Sequence, residues 1–73
     1  MSSPLSNKLE DVRNTRATFD AGLKLAVEFV KAKGGTVSSY DDWGTVMTVV
    51  KLGDEEGHIF KPYADIDLFY FEL

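Results

Sequence analysis

A chain of 73 residues is a single domain, residues 1–73, because a smaller piece could not bury enough apolar surface to fold. Its composition, 44% hydrophobic and 12% aromatic, excludes a disordered chain. The sequence has no cysteine, no signal-peptide pattern and no run of about 18 apolar residues, which excludes a disulfide framework and predicts a soluble protein of a reducing cytoplasm.

The net charge of −4 is unevenly distributed along the chain. Residues 1–33 carry six basic and four acidic side chains, whereas residues 34–73 carry two basic and eight acidic ones. An acidic protein without a dense Lys/Arg patch is repelled by duplex phosphates, so we expect no direct tight binding of nucleic acid. A surface divided by charge is better suited to a protein partner.

The N-terminal half has the pattern of an amphipathic helix. Apolar side chains recur every three, four or seven residues, which places them on one helical face. Ser3 or Ser6 can cap the start, and Gly34-Gly35 can supply the left-handed exit. The pattern predicts a helix over about residues 6–33, with this apolar face: Leu5, Leu9, Val12, Phe19, Leu23, Ala26 and Val30.

One continuous helix of that length would span roughly 40 Å, which is long for so small a domain. Asn14, Thr15 and Thr18 are mediocre helix formers and good caps. Two helices bent near residues 14–18 are therefore the main alternative.

Beyond Gly35 the sequence changes to β-branched and aromatic residues separated by turn residues. Residues 66–71 predict either a fourth strand or an aromatic tail packed over the core. The fold class predicted is α+β, with the long helix or bent helix pair on a small antiparallel sheet of three to four strands. The predicted segments are a strand over 36–40, a turn over 41–44, a strand over 45–52, a turn over 53–57 and a strand over 58–61.

No group of residues has the pattern of a catalytic or metal site. His58 is the single histidine, which excludes a two-histidine metal site, and no nucleophile motif accompanies it. Asp65 and Asp67 alternate with apolar residues, as on the wet face of a half-buried strand. The turn containing Asp54 lacks the spacing of a calcium loop. We therefore expect a binding protein without cofactor, metal or enzymatic activity.

The aromatic residues of the second half are too many for so small a core. Some must stay on the surface, and Trp43, in a turn between two aspartates and a glycine, is the strongest candidate, either as a partner anchor or as a lid over the sheet. Tyr40 and Tyr63 are further candidates. Arg13 and Arg16 form a small basic ridge that either meets a partner or is simply solvated.

Three segments, MSSPLSNKLEDVRNTR, VKAKGGTVSSYDDWG and DIDLFYFEL, resemble the small transcription regulators of Xanthomonas-infecting phages over the whole chain. This resemblance implies a protein that binds host RNA polymerase at the N-terminal segment of the β′ subunit, near the RNA exit channel, with the ω subunit and β flap nearby. It further implies inhibition of initiation and antitermination at intrinsic terminators in the cytoplasm of the infected host. It assigns no contact residues.

Two other functions stay open at this point. The acidic second half suggests a neutralising protein, such as a nucleic-acid mimic or an antitoxin, although its carboxylates fall in turns and not at phosphate-like spacing. A minor virion component would require self-association, whereas we expect a monomer.

Overall fold

Two helices lie on one face of a four-stranded antiparallel sheet, in a computed structural model that describes residues 3–73. The α+β class and the helix-on-sheet arrangement are confirmed. The elements follow one another as α1 (Pro4–Asn14), α2 (Phe19–Ala32), β1 (Thr36–Asp42), β2 (Thr45–Leu52), β3 (Glu55–Ile59) and β4 (Phe71–Glu72).

The continuous helix is wrong, and the bent pair is correct. α1 ends at Asn14, and Arg16 then takes a left-handed conformation with φ of 58°. Thr18 is extended, and its hydroxyl accepts the backbone N–H of Ala21 at 3.3 Å, which caps α2. The chain breaks at residues 15–18 because Thr18 stabilises a new helix start there.

The end of α2 is a Schellman motif, as the two glycines indicate. Gly34 has φ of 83°, the N–H of Gly34 donates to Lys31 and the N–H of Gly35 donates to Val30. Gly35 is needed for space, because an added Cβ would collide with the carbonyl oxygen of Lys51 and with Val30.

The strands follow the chain in the order β1-β2-β3-β4. β1 and β2 are closed by the pair Asp42↔Thr45, and β2 and β3 by Leu52↔Glu55. Both predicted turns are therefore too long. Each observed turn has two residues, because the acidic residues beside it pair within the ladders.

The sheet buries one face against the helices. Leu5, Leu9 and Val12 of α1 and Ala26 and Val30 of α2 are buried, as the periodicity predicts. They pack with sheet residues that alternate toward the same side, Val50, Ile59 and Phe71, and with Phe69 from the preceding segment.

The segment 66–71 behaves differently from the predicted strand. Its pairing with β3 is confined to Phe71–Glu72, with Ile59↔Phe71 and His58↔Glu72 as partners. Ile66 and Leu68 are exposed. The backbone N–H of Phe69 bonds to the carbonyl of Ala17 at 3.1 Å, so this segment is tied to the turn between the helices.

Carboxylates from the second half meet the starts of both helices. The backbone N–H groups of Leu5 and Ser6 donate to Glu55 at 3.0 and 3.2 Å. The N–H of Phe19 donates to Asp67 at 3.2 Å. Ser3 makes no side-chain cap bond, so the predicted serine cap of α1 is wrong. Within residues 3–73, neither helix is long and apolar enough to cross a membrane.

Candidate interaction site

The tip of the β1–β2 hairpin exposes a tryptophan completely. Trp43 and Gly44 form a two-residue turn with φ values of 53° and 87°, the signs required by a type I′ turn. Asn-Gly or Asp-Gly normally occupies such turns, since a bulky residue at positive φ costs about 1–2 kcal/mol. The side chain of Trp43 is 99% exposed, so packing within the domain does not offset that cost.

Arg16 occupies a similar backbone position. It follows the C-cap of α1 with φ of 58°, where glycine is the preferred residue, and its side chain is exposed. In the described chain, positive φ outside glycine occurs at Arg16 and Trp43. Both residues were predicted as partner contacts, and the structure shows that each is held at a backbone cost.

A cleft of about 430 Å³ lies beside the hairpin tip. Phe19 at the start of α2, Val46 of β2 and Pro62 supply its apolar lining, and Asp20 and Lys61 supply its charged lining. Val46 is 63% exposed, although it lies on the sheet face that the helices cover elsewhere.

Two of the predicted contact residues, Trp43 and Tyr63, adjoin the cleft in the sequence. Its lining includes Gly44, which follows Trp43, and Pro62 and Ala64, which flank Tyr63. Tyr63 itself is 64% exposed.

Tyr40 and Arg13 lie elsewhere. Tyr40 pairs with Met47 on the sheet face away from the helices and is 49% exposed. Arg13 lies in the last turn of α1, where its guanidinium stands 5.0 Å from the centre of the Phe71 ring. Arg13 thus has a cation–π contact inside the domain, and Arg16 lies outside the helix, so the two do not form a ridge on one helix face.

Acidic side chains lie beside the tip and in the cleft. The ion pairs found among residues 3–73 join Lys51 and His58 to Glu56 and Lys61 to Asp67. None of them involves Asp41 or Asp42 beside Trp43, or Asp20 in the cleft. These carboxylates therefore create a negative potential around the exposed indole and the apolar cleft.

A polar group on the opposite sheet face uses the single histidine. Nε2 of His58 lies 2.7 Å from Oε2 of Glu56, and this hydrogen bond lowers the pKa of Glu56 below its ordinary value. The Tyr70 hydroxyl donates to Glu72 at 2.9 Å, which raises the pKa of Tyr70. Across the described part of the chain, no three His, Cys, Asp or Glu residues cluster in a way that could hold a metal ion.

Sequence reasoning missed the cleft. Val46 belongs to TVMTVVKL, a segment with the pattern of a fully buried strand, and nothing in that segment marks Val46 as the exposed member. Asp20 lies within the first turn of α2 and has the pattern of an ordinary helix-start acid.

Comparison with known proteins places the chain in no family: no family model matches it, and neither the curated proteins nor the solved structures give a significant match.

Proposed function

We propose that this protein acts by binding another protein through the hairpin tip, and that its partner is the RNA polymerase of a Xanthomonas host. The observation that carries the binding role is the pair of exposed side chains, Trp43 and Arg16, at positions where the backbone favours glycine. Strained positions with no packing role inside a domain are typical of functional sites. The resemblance of three segments to phage transcription regulators supports the choice of partner.

Trp43 suits the role of an anchor. Tryptophan and arginine are enriched among the residues that dominate binding energy at protein interfaces. The two-residue turn also fixes the backbone that carries the indole, so that little backbone entropy is lost on binding.

The proposed action requires only that the protein occupies its site on the polymerase, and it involves no catalysis. A protein bound to the N-terminal segment of the β′ subunit, near the RNA exit channel, would hinder initiation and oppose the state in which a terminator hairpin forms. Its place of action is the cytoplasm of the infected host.

The carboxylates argue against a mimic of nucleic acid. Glu55 and Asp67 bind helix N-termini, and Glu56 pairs with Lys51 and His58. These side chains serve contacts within the domain and do not form a regular array for a partner.

The test measures stability and polymerase binding in the same variants. Trp43→Asn creates the Asn-Gly pair that type I′ turns favour, and should raise the free energy of unfolding by about 0.5–1 kcal/mol. Arg16→Gly should act in the same direction, because it places glycine after the α1 C-cap.

Binding of the two variants to purified host polymerase should change in the opposite direction. Trp43→Asn should weaken binding by about 1–3 kcal/mol, as loss of an interface anchor does. Leu25→Ala, which trims an exposed apolar residue elsewhere, is the control and should bind like the wild type. A stable Trp43→Asn variant with unchanged affinity would refute the role of the tip, and a wild-type protein that does not bind polymerase would refute the partner.

A further inference from the structure

The cleft beside the tip continues the face that elsewhere forms the core. Along β2, Val50 is completely buried under the helices, whereas Val46, on the same side of the strand, is 63% exposed. The helix layer therefore stops short of Val46. An apolar floor, with Phe19 and Pro62 as walls, is left open to a partner.

The backbone at this floor also lacks a strand neighbour on one side. The β2–β3 ladder ends at Thr48↔Ile59, so residues 45–47 pair with β1 alone. In a two-residue hairpin the closing pair exchanges both hydrogen bonds and the pairs alternate from there. The N–H and C=O of Val46 therefore point away from β1, toward the cleft, where an extended segment can bond to them.

The charges around the cleft determine which side chains a bound segment would carry. Asp20 lines the cleft, and Asp41 lies directly across the β1–β2 ladder from Val46. The cation in the lining, Lys61, lies 3.9 Å from the carboxylate of Asp67, which offsets its charge. Carboxylates thus outnumber cations among these four residues, which disfavours anionic partners and favours lysine and arginine.

We infer that the cleft binds an extended, basic segment of a protein partner, with one large apolar side chain over Val46 and a neighbouring lysine or arginine beside Asp20 and Asp41. This inference rests on the proposed protein-binding role and adds the chemistry of the segment that is recognised. The cleft volume of about 430 Å³ is sufficient for such a side chain.

The test selects ligands from a displayed library of random 12-residue peptides, using the full-length protein. Enriched peptides should carry an apolar residue flanked by lysine or arginine. With ¹⁵N-labelled protein, they should shift the amide signals of Gly44, Thr45, Val46 and Ala64. Affinity should fall as salt is added, because the attraction is electrostatic.

Two variants with the same charge change test the location. Val46→Lys places a cation on the cleft floor and should weaken peptide binding about ten-fold or more. Leu25→Lys makes the same change at an exposed site on α2, away from the cleft lining, and should leave binding unchanged. The inference is overturned if no peptide is enriched, if acidic or neutral peptides are enriched, or if the shifted amides lie elsewhere. Peptides that bind Val46→Lys as well as wild type would also overturn it.

Self-association is a separate outcome. A wild-type dimer that Val46→Lys dissociates, measured by analytical ultracentrifugation, would show that a second copy occupies the cleft and would overturn the inference. The two proposals can fail separately: loss of polymerase binding in Trp43→Asn but not in Val46→Lys refutes the cleft alone. Peptide binding at the cleft by a protein that ignores polymerase refutes the partner alone.

Discussion

Gly22 of α2 is a position where the structure needs the absence of a side chain and not an unusual backbone angle. A Cβ built there would lie 2.5 Å from Cδ1 of Phe69, and Phe69 is 4% exposed and tied by its N–H to Ala17. Phe69 cannot retreat without opening the core. Close packing thus fixes the residue at position 22.

We predict that Gly22→Ala destabilises the protein, although alanine is the better helix former. The gain in helix propensity is about 1 kcal/mol, whereas overpacking costs about 1–3 kcal/mol. The net loss should be up to about 2 kcal/mol in urea unfolding. Gly22→Ala should cost less stability in a Phe69→Leu protein than in the wild type. A Gly22→Ala protein more stable than wild type would contradict this contact.

Tyr70 gives a prediction at alkaline pH. Its hydroxyl donates to Glu72, and this bond raises the pKa of Tyr70 above its ordinary value of 10.0. Because folding favours the neutral form, the contribution to stability is complete below that ordinary value and is lost as pH rises through the folded pKa. The stability of wild type relative to Tyr70→Phe should therefore be larger at about pH 8 than at about pH 11 in urea unfolding. An equal difference at both values would argue against the hydrogen bond.

Single residues differed in how well they could be predicted. The turn at Trp43 was predictable, because two aspartates and a glycine mark it, whereas the sequence left open whether the indole is exposed or covers the sheet. The need for Gly22 was not predictable, since Phe69 is distant in sequence and a helical glycine gives no sign of its neighbour. The charge of Arg16 made it a predicted partner contact. Its left-handed conformation could not be predicted without knowing that α1 ends at Asn14.

Helix starts are where the elements depend on one another. At the start of α1, a backbone N–H donates to the carboxylate of Glu55 in β3. At the start of α2, backbone N–H groups donate to the hydroxyl of Thr18 and to the carboxylate of Asp67. Anions at a helix N-terminus satisfy free N–H groups and interact favourably with the helix dipole. These bonds therefore couple the helices to the sheet and the segment that follows it.

We predict that Glu55→Gln lowers the free energy of unfolding by about 0.5–2 kcal/mol, since a neutral amide replaces the anion that accepts two backbone N–H groups. Asp54→Asn removes the same charge one residue earlier, in the turn, and serves as the control. Chemical denaturation of both variants at neutral pH provides the measurement. Equal losses would mean that general charge, and not the cap, is responsible.

The types of the elements could be predicted and their ends could not. Apolar spacing separates the helical half from the strand half, and the α+β class followed from it. Glu55 could not be predicted as the cap of α1, because the partner lies in another element. The alternation of apolar and acidic residues at 66–68 favoured a strand there. In the structure, Asp67 accepts the backbone N–H of Phe19 at the start of α2, and Ile66 and Leu68 are exposed.

At the scale of the whole molecule, the aromatic segment completes the core. Phe69 and Phe71 are both buried, and Phe71 lies beneath the guanidinium of Arg13. Loss of one buried phenylalanine costs about 3–5 kcal/mol, whereas a domain of this size has a net stability of about 4–11 kcal/mol. The fold therefore depends on both of them.

A chain ending at Ile66 should be unfolded, because it lacks both phenylalanines and the Asp67 cap. Its circular dichroism spectrum should show little helix, and its amide NMR signals should lack dispersion. A chain lacking Leu73 alone, an exposed residue, is the control and should fold like wild type. Native-like dispersion in the shorter chain would show that α1, α2 and the three longer strands suffice.

The dependence of the helices on residues 55–71 has a consequence for synthesis on the ribosome. α1 and α2, of 11 and 14 residues, are made first, yet helices this short are marginal in water without packing. At about 5–20 residues per second, roughly 2–8 s pass between synthesis of Ala32 and of Phe71. During those seconds the helical segments have no sheet or aromatic segment to pack against, and folding can finish only after the aromatic segment has left the exit tunnel.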